Sequence, residues 1–523
     1  MSTPFDSLLA AIRVAARPPA VPEGEVITVN DTVSAAASAY EAIRNTLEYD
    51  EEHLMRRNAI RRILMRRIQD EASRPLAADV LRELIWARYL PNKKIPESTV
   101  GVVAAVFEKY RPLFARAAAG GREAGFLYDW LLDVMSTEVE YTLAPPYVDE
   151  AEAGLAYRAL KQRMVWANPA VKEEDRDLQL YVAVHRSVLR SNIATLRFRV
   201  FTLYYPAWPT AAAGDALVSD ISARLPAVAE AIERQLRHPA ADAVYRLVRR
   251  HAVVFHLLRD VAQDDPAAFA AALASGDAGA LDAAVVKAAE SRYDRFRKRL
   301  GRSVVRAALF LLFTKSVLAL VLELPYEQFI LKSSDDRPLL VNILFHPLLL
   351  SVLGLTVGIP EQKNNRKILE ETHAILGTGK DFAVTLRPGR SNGGLSVAFR
   401  TLYGIMFLVT VGAISWFLHA LHFNVFSIIL FLFFLSLVTF FGLKIRNGRR
   451  ELVIVETGSP FLGFLGDLLF LPIVRAGRWI ALRAPRINVF LFFLDFIIEA
   501  PFKAAIRVIE SWISYLREKR EEI

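Results

Sequence analysis

The chain has 523 residues, of which 65 are Lys or Arg and 56 are Asp or Glu; 53% are hydrophobic and the mean hydropathy is +0.26. This composition excludes a disordered or fibrous chain and favours a soluble part joined to a membrane part. Because the sequence contains no cysteine, it excludes disulfides, iron–sulfur clusters, Cys-ligated zinc and thiol catalysis.

The basic excess is confined to the apolar half of the chain. Residues 1–300 hold 40 basic and 39 acidic residues, whereas residues 301–523 hold 25 and 17. A nucleic-acid-binding protein would carry such an excess on a soluble face, whereas basic residues beside apolar runs are typical of membrane topology. We therefore expect a lipid bilayer as a partner and no nucleic acid.

The first 302 residues predict a cytoplasmic part built only from helices. Residues 1–29 lack the basic start and long apolar run of a signal peptide and read as a flexible or short amphipathic segment. Residues 30–302 repeat apolar positions at helical spacing between start signals such as Asp264-Asp265-Pro266 and stops such as Gly120-Gly121. The expected fold is a soluble helical bundle or irregular solenoid, with a sub-boundary near the proline-rich break at 204–210.

An arginine-rich stretch at 50–70 offers two interpretations. Its arginine pairs at 56/57, 61/62 and 66/67 ring a predicted helix and form no stripe. The pattern favours a packed helix whose arginines pair or extend to solvent over a binding site for a polyanion.

Four apolar segments are long enough to cross a membrane. They are residues 307–324, 339–358, 401–421 and 424–443. Seven basic residues precede the first segment, and the loop 359–400, in which we predict a helix and a short strand, carries seven basic and four acidic residues. The stretch before the first segment and the loop 359–400 are therefore both expected on the cytoplasmic side. This topology is that of a bacterial inner-membrane protein with four crossings and both termini in the cytoplasm. We expect the first two spans within residues 303–358 and the last two within residues 401–443.

Residues 444–502 combine a basic linker with two further apolar segments, 459–474 and 487–502, that are short for a span. Basic clusters flank both segments, so we expect each to be re-entrant or to lie in the membrane interface. Residues 503–523 predict a cytoplasmic amphipathic helix. Trp479 and Trp512 are candidate interfacial anchors.

Five ionisable residues lie within the predicted membrane segments: Lys315, Glu323, Asp467, Asp495 and Glu499. An unpaired charge at a bilayer centre costs about 2.5–3.5 kcal/mol, so such charges pair or face a polar cavity. We expect Lys315 to pair with Asp467 or Asp495. The cluster is then either an internal ion pair that orients the helices or part of an ion or proton path.

The sequence carries no motif of a known catalytic or cofactor site. It contains no HExxH or GxSxG, and the stretch from Gly377 to Asp381 lacks residues that a phosphate loop requires. His251 and His256, five residues apart, suit structural roles better than zinc binding. We expect no metal and no cofactor, and the chain is not expected to be an enzyme.

The favoured function is a membrane scaffold that docks a cytoplasmic protein partner, or assembles with copies of itself. The alternatives are an oligomeric channel or transporter using Lys315 with Asp467 or Asp495, and, more distantly, a lipid-active enzyme.

Overall fold

The computed structural model describes residues 5–17, 25–29, 52–67, 72–331, 337–388, 393–455 and 472–480. Nearly all regular structure in these ranges is helical, as the sequence predicts. The described residues form two compact units. The first holds residues up to Arg249 together with Val384–Leu386, and the second holds Arg250–Ala383 and the described residues from Arg387 onwards.

The first unit contains helices α1 to α10, a short parallel strand pair and the beginning of α11. Strand β1 (Met164–Trp166) pairs with β2 (Val384–Leu386), although β2 comes from the chain between the second and third apolar helices. The helices are α1 (Asp6–Ala15), α2 (Glu52–Arg67), α3 (Ser73–Trp86), α4 (Ser98–Ala118), α5 (Ala124–Leu143), α6 (Tyr147–Lys161), α7 (Glu173–Ser187), α8 (Ile193–Tyr204), α9 (Ala216–Ala223), α10 (Leu225–Leu236) and α11 (Ala241–Asp264).

The proline-rich break at 204–210 lies inside the first unit. Trp208 is completely buried, and its indole N–H donates to Glu138 Oε2 at 2.8 Å. The same carboxylate accepts from the Tyr110 hydroxyl at 2.6 Å and pairs with the buried ammonium of Lys109. The division that the structure shows falls at Arg249/Arg250. The sub-boundary near 204–210 within the first unit stays a prediction.

The arginine-rich helix α2 is tied to acidic residues of the same unit. Arg56 makes two hydrogen bonds of 2.7 Å to the carboxylate of Glu140, and Arg61 contacts Asp133 at 2.8 Å. Planar guanidinium groups match carboxylates in this two-point geometry. The arrangement agrees with a packed helix whose arginines are paired, the interpretation that the sequence favours.

The folded first unit should lose stability in mild acid through His185. Burial, and then the charge of Arg199, hold the pKa of His185 well below its usual value of about 6.5. Below pH 6.5 His185 becomes protonated in the unfolded chain but stays neutral in the folded chain. The free energy of unfolding therefore falls as the pH falls, by up to about 1.4 kcal/mol per pH unit. Melting temperatures of the detergent-purified chain should therefore fall less steeply between pH 6.5 and 5 for His185→Gln than for the wild type. Equal slopes would contradict this assignment.

The second unit contains the remaining helices. They are α12 (Pro266–Ser275), α13 (Ala278–Leu318), α14 (Arg337–Leu355), α15 (Glu361–Leu376), α16 (Gly393–Ala420) and α17 (Val425–Gly448), with π-helical turns at Ala319–Glu323 and Tyr326–Leu331. The predicted start at Asp265-Pro266 is confirmed, because the Asp265 carboxylate accepts from the amides of Ala267 and Ala268. Asp277 caps α13 in the same way.

Among the described residues, four helices are long and apolar enough to cross a membrane. They are Ala278–Ile330, Arg337–Leu355, Thr401–Ala420 and Val425–Glu451. The first contains its predicted span, and each of the other three covers all but one to three residues of its predicted span. The first extends far beyond its predicted segment, because α13 runs without interruption from Ala278 into the apolar run. The chain is thus consistent with a membrane-embedded protein.

Helix α15, between the second and third spans, is held within its unit by two histidine–carboxylate contacts. His251 Nδ1 lies 2.8 Å from Glu371, and His373 Nε2 lies 2.7 Å from Asp282. The helix ends where Gly377 adopts a φ of +77°, a conformation that favours glycine. The stretch that resembles part of a phosphate loop is thus a helix end and the turn after it.

Two glycines allow the spans to approach closely. A Cβ at Gly354 of α14 would lie 2.5 Å from a methyl of Val304 in α13, and one at Gly442 would lie 2.6 Å from Leu353. Small residues at such contacts let helices pack closely in lipid.

We expect Gly354→Ala to destabilise the spans by about 1–3 kcal/mol through overpacking. Val304→Ala in the same chain should restore the wild-type melting temperature in detergent. Gly412→Ala is the matched control, since a Cβ there meets no atom within 4 Å. If Gly354→Ala has the same melting temperature as Gly412→Ala, the close contact between Gly354 and Val304 is refuted.

The region that holds the basic linker and the two short apolar segments is described beyond residue 455 only at residues 472–480. These nine residues form a helix. Ile473 packs with the core of Leu418, Phe423, Phe431 and Leu435 from the third and fourth spans and their connection. The guanidinium of Arg475 lies over the ring of Tyr403 at 4.5 Å. Trp479, a candidate anchor, is 60% exposed. The rest of 459–474, all of 487–502 and the tail at 503–523 with Trp512 lie outside the described residues.

Candidate functional site

A buried charge lies in the first span. The side chain of Lys315 is 1% exposed, and its ammonium donates to both the backbone carbonyl of Asn342, at 3.0 Å, and the side-chain Oδ1 of that residue. It also lies 4.5 Å from the centre of the Phe434 ring, a cation–π contact. Three spans, α13, α14 and α17, therefore contribute to the site.

Asn342 links Lys315 to Glu323. Its side-chain nitrogen donates to the two carboxylate oxygens of Glu323 at 2.8 and 2.9 Å, while its Oδ1 accepts from the ammonium. An amide has one accepting and one donating end, so a single side chain satisfies a cation and an anion at once. Asn342 and Glu323 are 0% and 1% exposed, and the three residues form what we call the triad.

The π-helical turn at Ala319–Glu323 explains how Lys315 and Glu323 come to share a face. On a regular α-helix, residues eight apart point roughly 80° away from each other. A π-turn spaces its hydrogen bonds five residues apart, so each residue rotates the chain by less. The turn thereby brings Glu323 back towards the face of Lys315.

His346 lies next to the triad, one helical turn after Asn342 in α14. Its Nδ1 lies 3.2 Å from the carbonyl of Asn342, and its Nε2 lies 3.1 Å from the carbonyl of Phe431 in the fourth span. The imidazole is completely buried and packs edge-on against Phe431. It therefore ties the second span to the fourth beside the charged groups.

A second polar pair lies nearer the connection between the first two spans. Asn424, which caps α17, donates to the carboxylate of the buried Glu327 at 3.0 Å. Glu327 belongs to the second π-helical turn. Polar groups thus follow the first span from Lys315 to the end of its helix.

Of the five predicted intramembrane charges, the structure brings Lys315 and Glu323 together. Asp467, Asp495 and Glu499 lie outside the described residues, so the predicted pairing of Lys315 with Asp467 or Asp495 stays a prediction. Two residues of the site were missed, Asn342 and His346. Both are polar positions four apart in an otherwise apolar helix, which places them on one face, and that spacing could have pointed to them.

The triad joins a cation and an anion through one shared amide partner. The cation and the anion offset each other, and the amide between them leaves neither without a partner, as charges at membrane depth require. Over the described ranges, no group of three or more His, Asp or Glu side chains could hold a metal ion. Chemically, the site can hold three helices together, and its ionisable groups could also accept or release a proton.

Comparison of the chain with protein-family models, with curated proteins and with solved structures gave no match.

Proposed function

We propose that the chain docks a partner protein at a membrane, with the spans as a fixed anchor and the first unit as the docking part. The observation that carries this proposal is the triad. Its cation, amide and anion satisfy one another within one chain. Such a closed arrangement suits a structural role, because a transported ion would need polar groups that are free to bind it.

The packing of the spans supports the same role. Interhelical hydrogen bonds and close glycine contacts are what hold helices together where lipid surrounds them. The triad links α13 to α14, His346 links α14 to α17, and Gly354 sits against Val304. An anchor of this kind keeps the chain attached to the membrane.

The first unit has the properties of a rigid platform. It contains the buried ion pair of Lys109 with Glu138 and the part-buried pair of Arg197 with Asp133. Residues 1–249 hold 32 basic and 32 acidic residues, so their net charge is zero. This balance favours a protein partner over a polyanion.

The test is the mass of the native complex, extracted gently from the membranes in which the chain is made. The proposal predicts a second protein in a fixed ratio to the chain. A bare monomer or a homo-oligomer alone would contradict it.

Ion or proton transport is the second candidate, and the π-helical turns favour it. Such turns are frequent at functional sites, and here they accompany Glu323 and Glu327 along one span. This candidate predicts flux through proteoliposomes that Lys315→Met combined with Glu323→Gln abolishes. Sealed proteoliposomes with no flux of protons or common ions would eliminate it.

A lipid-active enzyme, the most distant alternative, would depend on Asp467 or Asp495.

A further inference from the structure

A stripe of basic residues lies on α13 just before its apolar part. Arg295, Lys298, Arg299, Arg302 and Arg306 are all exposed. At about 3.6 residues per turn they fall within roughly 100° of one another. Buried residues of the same helix, Tyr293, Val304 and Lys315, fall on the opposite side. We call these five residues the basic stripe.

Most of the basic stripe is free of acidic partners. Arg295 lies 3.8 Å from Asp260. In the part of the chain that the structure describes, no carboxylate pairs with the other four. Other arginines of this helix differ: Arg292 is paired with Asp260 at 2.5 Å, and Arg297 with Glu361. The unpaired charges are therefore the ones that face outwards.

The basic stripe continues into the apolar surface of the span. Leu309 and Phe313 are 61% and 70% exposed, and they follow Arg302 and Arg306 on the same face of the uninterrupted helix. Charged and apolar groups that share one helix face in this order match the headgroup and the acyl chains of a phospholipid. An anionic headgroup adds charge complementarity.

We infer that the basic stripe binds anionic phospholipids, with the phosphate at Arg302 and Arg306 and the acyl chains along Leu309 and Phe313. The headgroup region is about 5–8 Å deep on each side of a bilayer. Counted back at 1.5 Å per residue from residue 307, where the predicted apolar segment begins, Arg302 and Arg306 fall within this depth. Lys298 and Arg299 lie roughly 5 Å further from the apolar segment than Arg302 along the helix axis. This distance is shorter than the Debye length of about 8 Å at physiological ionic strength, so these charges still interact with the headgroup. This site is independent of the docking function and would exist in a transporter as well.

The experiment measures lipid selectivity directly. The full chain is placed in bilayers of phosphatidylcholine and phosphatidylglycerol, and spin-labelled forms of each lipid report the fraction immobilised at the protein. The wild type should retain phosphatidylglycerol in preference to phosphatidylcholine. Arg302→Gln with Arg306→Gln should lower that preference at least fivefold, since one basic residue near an anionic surface is worth about a factor of five.

Two control variants separate lipid binding from general damage. Lys287→Gln removes one positive charge from an exposed residue of α13, roughly 22 Å before Arg302 at 1.5 Å per residue, and should leave the preference unchanged. Arg302→Lys with Arg306→Lys keeps the charge and should retain most of the preference. A wild type without preference, or an equal loss in Lys287→Gln, would overturn the inference. Millimolar glycerol phosphate should displace nothing; displacement would mean a site for free phosphate and not for lipid.

Discussion

Replacing Lys315 alone is expected to harm the protein more than replacing Lys315 together with Glu323. Lys315→Met leaves the Glu323 carboxylate buried with no cation, and breaking one partner of a buried pair costs about 3–5 kcal/mol. Adding Glu323→Gln removes the uncompensated charge and keeps a group that can bond to the amide of Asn342. The double variant should therefore recover more than half of the lost stability.

The measurement is the melting temperature of the detergent-purified chain, together with the yield of monodisperse protein from membranes. Lys444→Met is the control, because it makes the same substitution at an exposed position near the end of α17. Asp467→Asn tests the pairing that the sequence predicts. Rescue of Lys315→Met by Asp467→Asn, without rescue by Glu323→Gln, would mean that Asp467 is the true partner.

Glu138→Leu should be the most damaging single change in the first unit. The carboxylate of Glu138 is the common partner of Lys109, Tyr110 and Trp208, all buried. Its loss leaves the Lys109 ammonium with only the Trp208 carbonyl, at 2.9 Å. We expect a cost of about 3–5 kcal/mol, against about 1 kcal/mol for Tyr110→Phe, which removes one hydrogen bond.

Tryptophan fluorescence during urea unfolding of the full chain can follow this loss, since Trp208 itself contacts the network. Glu230→Gln, on the exposed surface of α10, should change the midpoint little, because exposed ion pairs contribute about 0–1 kcal/mol. Lys109→Met combined with Glu138→Leu should be better tolerated than Glu138→Leu. If all three single variants unfold at similar urea concentrations, the network contributes no special stability.

The sequence predicts the four spans well because apolar length is a property of consecutive residues. Lys315 and Glu323 could be recognised as intramembrane charges for the same reason. Their partner could not, since Asn342 is 27 residues from Lys315 along the chain, and an uncharged amide does not stand out in a count of charges. The π-helical turns that align Glu323 have no simple sequence pattern.

The break at 204–210 shows a different limit. Prolines beside aromatic residues are typical of connections between domains, and that pattern predicted a sub-boundary. Trp208 is nevertheless completely buried, because its indole N–H finds a partner in Glu138, 70 residues away in sequence. Composition cannot distinguish a linker from a turn that the core encloses, because the decisive contact is distant in sequence.

The arginines of α2 were interpreted correctly for a physical reason. Six arginines that ring a helix cannot all face one ligand, so most must find partners within the fold. Arg56 and Arg61 find Glu140 and Asp133 on α5, more than 70 residues away, whereas Arg66 pairs with Glu83 on α3. The sequence thus predicted a packed helix whose arginines pair or extend to solvent, but not which carboxylates they pair with.

The most direct test of a docking protein with a structural anchor compares two native complexes. One is extracted from membranes that contain the wild-type chain, and the other from membranes that contain the Lys315→Met, Glu323→Gln double variant. If the charges only hold the spans together, both complexes should contain the same second protein in the same ratio, since the double variant keeps the triad neutral. A folded double variant that has lost its partner, or a wild type that never had one, would contradict the account.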